Sequence, residues 1–176
     1  MLLSRDDLVS VLFCETDRAQ RLKMPLALVH IGFSEWMGGQ SALEASRNEE
    51  VIRLFDEHFR RLLRCYDSVG RIADGEFVLI LPGCSLSNAK TLAERLRDEF
   101  LKSRFEACGQ EMHLNACFGV VSSGGRSPFV VLREAKKAFQ RAHATAPASI
   151  HCLGSEEELD PAAFLMPVLQ DESLHW

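Results

Sequence analysis

The sequence predicts a mixed α/β fold of the α+β kind, with a central, mainly antiparallel β-sheet flanked by helices. A continuous apolar run over residues 26–31 is typical of a strand that is buried on both faces. Apolar side chains recur at helical spacing from about residue 49 to 65 and predict an amphipathic helix. Two short arms, 69–72 and 77–81, flank a turn and predict a β-hairpin.

The remaining elements complete the same pattern. Ser4 is a suitable N-cap for a first helix over residues 4–23, and Ser127-Pro128 opens the last helix. A glycine-containing segment, 32–47, is predicted as a loop. The other expected elements are a helix over 87–104, a strand over 113–121, the last helix over 128–143, and an edge strand within 148–153.

Length and composition indicate one globular domain, residues 1–154, followed by a tail, 155–176, that is both acidic and apolar. The formal net charge of −5 argues against binding to nucleic acid through broad phosphate contacts. No apolar run is long enough for a membrane span, so a cytoplasmic location is predicted. The six cysteines lack CxxC spacing, and the histidines lack ligand spacing, so reduced thiols and no metal site are expected.

The segment from Arg64 to Pro82 carries the most informative pattern. It reads RCYD, five further residues, ADGEF, and then the apolar strand VLILP. This order resembles the core of GGDEF (diguanylate cyclase-like) domains, in which RxxD precedes the GG(D/E)EF turn. The stretch AERLR at 93–97 and the segments 113–122 and 135–143 resemble later elements of that family, so the resemblance covers roughly residues 5 to 153.

The resemblance implies that a cyclase at this site would need two carboxylates to hold magnesium over GTP. Those positions align with His30 and Gly75, and neither residue supplies a carboxylate. The two turn glycines of the family align with Ala73 and Asp74, where a carboxylate would repel a triphosphate. Asp74-Gly75 is instead the favoured pair for a type I′ hairpin turn.

The other active-site positions are less informative about function. The late phosphate-binding lysine of the family aligns with His143, and Glu49 is the one position that could still pair with guanine. Glu76 and Phe77 complete the motif. The sequence therefore predicts a degenerate member of the family that is not an enzyme and requires no cofactor, with no Mg²⁺ expected.

The resemblance also implies an inhibitory site that binds cyclic di-GMP through RxxD and an arginine of the next helix. Arg64, Asp67 and Arg95 occupy those positions, and Arg71 is a further candidate contact. Arginine can donate two hydrogen bonds to guanine and can stack on a base. RxxD occurs four times in the chain, however, and only its position relative to the hairpin singles out Arg64.

The leading hypothesis is therefore a catalytically inactive cyclic di-GMP receptor that regulates a protein partner in bacterial signalling, with a ligand-promoted homodimer as one arrangement. An alternative is an interaction scaffold that binds no nucleotide and uses its tail or first helix. Pairing of Arg64 and Arg95 with carboxylates would favour that scaffold. An active diguanylate cyclase is the third hypothesis.

Overall fold

The computed structural model describes residues 2–36, 49–107, 110–112 and 114–154. The helices of these ranges are α1 (Arg5–Leu22), α2 (Glu49–Leu62), α3 (Leu86–Lys102) and α4 (Pro128–Thr145). The strands are β1 (Leu26–Trp36), β2 (Ser68–Ala73), β3 (Glu76–Pro82), β4 (Phe105–Ala107), β5 (Gln110–Met112), β6 (Leu114–Ser122) and β7 (Ile150–Leu153).

Five of these strands form the central sheet, in the order β2-β3-β1-β6-β7. All neighbours are antiparallel except β6 and β7, which are parallel and are joined through α4. β4 and β5 form a separate, antiparallel two-stranded sheet. The predicted fold class, a mixed and mainly antiparallel sheet flanked by helices, is confirmed.

Helices cover both faces of the sheet because the side chains of its strands alternate between two cores. Val29, Ile31 and Phe77 face a core formed with α2 and α3. Leu28 and Val78 face a second core formed with α1 and α4. This alternation also places His30, between Val29 and Ile31, on the side of α4.

A group of phenylalanine rings in mutual contact, called here the phenylalanine cluster, fills the first core. Ring centroids within it lie 4.5 to 6.3 Å apart, within the range in which aromatic pairs attract each other. The cluster ties α2 and α3 to the sheet and to the start of β4. Its members are Phe33, Phe55, Phe59, Phe77, Phe100 and Phe105.

Several predicted boundaries were wrong. β1 continues to Trp36, so residues 32–36 are strand and not loop. The strand tolerates Gly32 because both neighbouring strands pair with it there, Gly32 with Glu76 and with Cys117. α2 ends at Leu62, three residues before its predicted end at about residue 65. The strands β4 and β5 were not predicted. The predicted positions of residues 37–48, of His113 and of the tail lie outside the described residues.

The helix starts are explained by their caps. The Ser4 hydroxyl accepts from the Asp7 amide, and the Ser85 hydroxyl accepts from the Asn88 amide, which places the start of α3 at Leu86. Ser127 makes no side-chain cap hydrogen bond, and Pro128 fixes the first turn of α4 instead. Within the part of the chain that the structure describes, no helix is long and apolar enough to cross a membrane.

Candidate functional site

The hairpin turn between β2 and β3 is present, but it is not a type I′ turn. That type needs positive φ at both central residues. Gly75 has a φ of 71°, whereas Asp74 does not lie in the positive-φ region. The ladder shifts register between Arg71 and Ala73, so a bulge sets the turn. The Phe33 amide donates to the Gly75 carbonyl at 3.3 Å and thereby ties the turn to β1.

Two side chains of the motif are held within the protein. The Asp74 carboxylate forms an ion pair with Arg71, whose guanidinium also donates to the Ala73 carbonyl at 3.4 Å. Phe77 is buried in the phenylalanine cluster. Arg71 is therefore engaged with its own hairpin, and it is not a free cation at the surface.

Glu76, the fourth residue of the motif, meets His30 and a lysine of α4. His30 Nε2 lies 2.9 Å from Glu76 Oε2, and Lys136 Nζ lies 3.7 Å from the same oxygen. His30 is fully buried, and its Nδ1 has no hydrogen-bond partner among the described residues. An ionised carboxylate only accepts hydrogen bonds, so the Nε2–H tautomer donates to Glu76. This hydrogen bond holds the pKa of the Glu76 carboxyl below its usual value although burial opposes it, and Lys136 lowers the pKa further.

Phe139 covers His30 from the α4 side. Its ring stacks on the imidazole at 4.8 Å with a 12° interplanar angle, and it also lies 5.9 Å from the exposed His143 ring. A Cβ added at Gly32 would lie 2.3 Å from the tip of Phe139. The space beside His30 that a side chain at position 32 would need is therefore filled by the ring of Phe139.

Replacement of Glu76 by glutamine should make stability less dependent on pH. The folded-state pKa of Glu76 is lowered, so its contribution is present above the unfolded pKa, near 4.5, and is lost as the pH falls through the lowered value. A hydrogen bond to a charged group contributes about 1.5–3 kcal/mol. Urea denaturation should therefore show the variant less stable by about 1–2 kcal/mol at neutral pH, with the gap closing in acid.

Glu57→Gln is the matched control, since Glu57 is exposed on α2 and its nearest cation, Arg53, lies 3.9 Å away. Exposed ion pairs of this kind contribute little, so that control should match the parent chain at neutral pH. A constant stability gap for Glu76→Gln across the acid range would contradict the role given to the His30–Glu76 contact.

The RxxD loop, residues 64–67, closes on itself after α2. The Arg64 amide donates to Asp67 Oδ2 at 2.8 Å, and the Asp67 amide donates to the Arg64 carbonyl at 3.1 Å. The Arg64 guanidinium donates to the Tyr66 hydroxyl at 2.8 Å and lies 5.8 Å from the centre of that ring. Asp67 thus shapes the loop, and the exposed Arg64 side chain lies against Tyr66, which is also exposed.

Burial raises the pKa of Asp67, and the hydrogen bond from the Arg64 amide opposes that rise. The Cys84 thiol lies close to both groups. Burial is the largest effect on its pKa and raises it. The Asp67 charge raises this pKa further, and the Arg64 charge lowers it. Cys84 immediately precedes Ser85, the N-cap of α3. The RxxD loop and the start of α3 are therefore neighbours on the surface.

Arg95 is exposed on α3 and enters no hydrogen bond or ion pair with the described residues. It follows Leu86 by nine residues, which is about 14 Å along a helix. The structure therefore brings Arg64 and Asp67 together and leaves Arg95 on a neighbouring element without a direct contact to them. The side chain of Glu49, the predicted guanine partner, lies outside the described residues.

Solved structures share this fold. The active GGEEF domain of a diguanylate cyclase from Vibrio cholerae superposes with a TM-score of 0.70 at 18% identity, covering 88% of this chain and 99% of that one. A microbial GGDEF domain studied for its interaction with cyclic di-GMP gives a TM-score of 0.68 at 16% identity, covering 86% and 92%. The architecture is therefore that of a GGDEF domain.

The sequence comparison supports the same class. The family described as "Diguanylate cyclase, GGDEF domain" matches residues 2–147, and the chain belongs to this family. A diguanylate cyclase from Vibrio cholerae serotype O1 is 27% identical over 105 residues, which is 60% of this chain and 32% of that protein. The chain thus spans about a third of the length of that relative.

Two predictions made from the sequence were wrong. The chain was expected not to be an enzyme, but its relatives are named diguanylate cyclases and its fold matches that of an active domain. No Mg²⁺ was expected, but GGDEF diguanylate cyclases normally use Mg²⁺. Both predictions rested on substitutions at His30 and Gly75, and a change at a motif position does not by itself show that activity is lost.

Among the described residues of the hairpin, Glu76 is a candidate ligand for magnesium. Glu76 offers the hard oxygen ligand that Mg²⁺ prefers, and it is already paired with His30 and Lys136. No group of three His, Cys, Asp or Glu side chains suited to a metal ion occurs among the described residues. The described residues therefore include one candidate magnesium ligand, Glu76, but no complete set of ligands.

Sequence reasoning missed three residues that shape these sites: Lys136, Phe139 and Tyr66. Lys136 and Phe139 lie on α4, and only the packing of that helix on β1 brings them to Glu76 and His30. Tyr66 carried a usable signal, because it is the one tyrosine of the chain and lies inside the RxxD loop.

Proposed function

We propose that this GGDEF domain binds cyclic di-GMP on the surface formed by the RxxD loop, with Arg95 as a second arginine. The observation that carries the proposal is the state of Arg64. Its guanidinium is exposed and lies on Tyr66, and among the described residues it forms no ion pair with a carboxylate. Beyond the hydrogen bond to Tyr66, the other donors of its planar guanidinium remain available to guanine or phosphate.

Tyr66 strengthens this proposal. Tyr66 is 52% exposed, and its ring lies beside the Arg64 guanidinium. A base that stacks on such a ring gains about 1–3 kcal/mol. An arginine fork and an exposed aromatic ring on one loop therefore provide both the hydrogen bonds and the stacking surface that a guanine base requires.

Arg95 fits as a second contact across the ligand. The RxxD loop adjoins the start of α3, and Arg95 projects from the exposed side of that helix about 14 Å further along. Arg95 makes no hydrogen bond or ion pair with the loop among the described residues, and a dinucleotide could bridge the two. Each ligand could also meet the same residues of a second domain, so a ligand-promoted dimer is part of the proposal.

Ion pairs of Arg64 and Arg95 with carboxylates would have favoured the scaffold hypothesis. No such ion pair occurs in the described part of the chain. That observation supports the receptor proposal over the scaffold.

Calorimetric titration of the full chain with cyclic di-GMP tests the proposal. A bidentate arginine–guanine contact contributes about 1–3 kcal/mol, so Arg64→Ala should weaken binding by roughly tenfold or more. Arg53→Ala is the matched control, because Arg53 begins another RxxD match but lies within α2, where it is paired with Glu57. That control should bind like the parent chain.

Two outcomes would overturn the proposal. One is the absence of binding heat at tens of micromolar cyclic di-GMP. The other is an Arg64→Ala variant that binds as tightly as Arg53→Ala.

We propose diguanylate cyclase activity as a second candidate function, since the relatives carry that name. The observation that favours it is Glu76, which keeps a carboxylate on the hairpin beside Lys136. The test is turnover of GTP by the purified chain with Mg²⁺, compared with Glu76→Gln. Turnover that the substitution abolishes would support this activity, and no turnover would exclude it for this chain alone.

A further inference from the structure

The outward face of α4 carries an unusual stripe of side chains. Phe129, Arg133, Lys137 and Arg141 recur every four residues, and all four are exposed. Phe129 is 63% exposed and meets Phe13 of α1, itself 44% exposed, at 5.3 Å in an edge-to-face contact. We call these five residues the α4 face.

The three cations of the α4 face form no ion pairs within the described part of the chain. Other exposed arginines do have acidic neighbours, such as Arg60 with Asp56 at 3.0 Å and Arg18 with Glu15 at 3.5 Å. The stripe thus combines three positive charges that lack partners with an exposed aromatic pair. A binding partner would need both negative charge and apolar side chains.

Residues 155–176 have that composition. They contain six carboxylates and no lysine or arginine, and they also contain Phe164-Leu165-Met166 and Trp176. The rest of the chain has 20 basic and 19 acidic residues, so the net charge of −5 arises entirely from this segment.

The described chain ends just after β7, close to the first turns of α4. Leu153 pairs with Val121 near the end of β6 and packs on the core that includes Val131 of α4. α4 begins at Pro128, so the end of β7 lies near the first turns of that helix. Phe129 to Arg141 spans about 18 Å of helix, and six extended residues span about 20 Å. The carboxylates at 156–160 can therefore reach all three cations.

We propose that the acidic, apolar segment 155–176 docks on the α4 face of its own chain. Single exposed ion pairs are weak, but a tethered partner has an effective concentration in the millimolar range, so a few such pairs are enough. The carboxylates at 156–160 meet Arg133, Lys137 and Arg141, and the apolar residues beyond them cover Phe13 and Phe129. Docking withholds this basic face from other acidic ligands, and salt weakens it.

NMR of the ¹⁵N-labelled full chain tests this proposal through the heteronuclear NOE of residues 156–172 at low salt. The values should be positive in the parent chain and should fall to those of an unattached segment in Arg133→Glu/Lys137→Glu/Arg141→Glu. The matched control, Arg53→Glu/Arg61→Glu/Lys102→Glu, changes the charge equally on α2 and α3 across the sheet. It should keep the values of the parent chain.

A charge exchange makes the test specific. Glu156→Lys/Glu157→Lys/Glu158→Lys alone should release the segment, and combination with the α4 reversals should restore the positive values. Negative values in the parent chain, or no response to the α4 reversals, would overturn the proposal. Values that fall on tenfold dilution would overturn it in favour of a second copy as the partner.

Discussion

Replacement of Gly119 by alanine should destabilise the domain severely. Gly119 lies on β6 opposite His30, and α4 passes directly over it. An added Cβ would lie 2.2 Å from the Phe139 amide nitrogen and 2.4 Å from the Ala135 carbonyl oxygen. These are backbone atoms of a helix, so the helix as a whole must move. Forcing extra volume into a packed core usually costs 1–3 kcal/mol, and this site should cost about 3 kcal/mol or more.

Thermal denaturation measures this effect. For a domain of this size, each kcal/mol shifts the melting temperature by roughly 2–4 °C, so a fall of roughly 6–12 °C is expected. Gly124→Ala is the control, because its added Cβ meets only the Arg126 side chain at 3.7 Å. Its loss of stability comes chiefly from the positive φ of +51° at that position. A Gly119→Ala variant that melts no lower than Gly124→Ala would show that α4 does not depend on this close approach.

The sequence predicted the elements with strong periodicity. The run at 26–31 and the apolar spacing of α2 predicted a buried strand and an amphipathic helix, because burial on the sheet imposes those patterns. The hairpin was placed correctly, but its turn type was not. The bulge between Arg71 and Ala73 depends on strand pairing, and no short-range signal records it. The three-residue strands β4 and β5 are too short to show any period.

The candidate sites were predictable only where they are local in sequence. Arg64, Tyr66 and Asp67 lie within four residues, so their loop could be anticipated from the RxxD pattern. Glu76 contacts His30 and Lys136, which lie 46 and 60 positions away from it in the sequence. Such contacts are set by the packing of α4 on β1, which Gly32 and Gly119 permit. Neither glycine carries a chemical signal of that role in the sequence.

The phenylalanine cluster links the fold to the proposed ligand surface, and Phe59 is its most informative member. Phe59 is fully buried and lies 5.7 Å from Phe77 and 5.8 Å from Phe100. Phe59 belongs to α2, Phe77 to β3 of the hairpin, and Phe100 to α3. Of these elements, α2 leads to Arg64 and α3 carries Arg95. One side chain therefore holds together the elements that present both arginines.

Phe59→Ala should cost about 3–5 kcal/mol, the range for loss of a buried phenylalanine, and urea denaturation should show it. Phe129→Ala removes the same atoms at a position that is 63% exposed, and it should leave stability nearly unchanged. Where Phe59→Ala remains folded, its affinity for cyclic di-GMP should fall, because Arg64 and Arg95 lose their common anchor. Binding as tight as that of Phe129→Ala would mean that each arginine is positioned by its own element and that the cluster contributes stability alone.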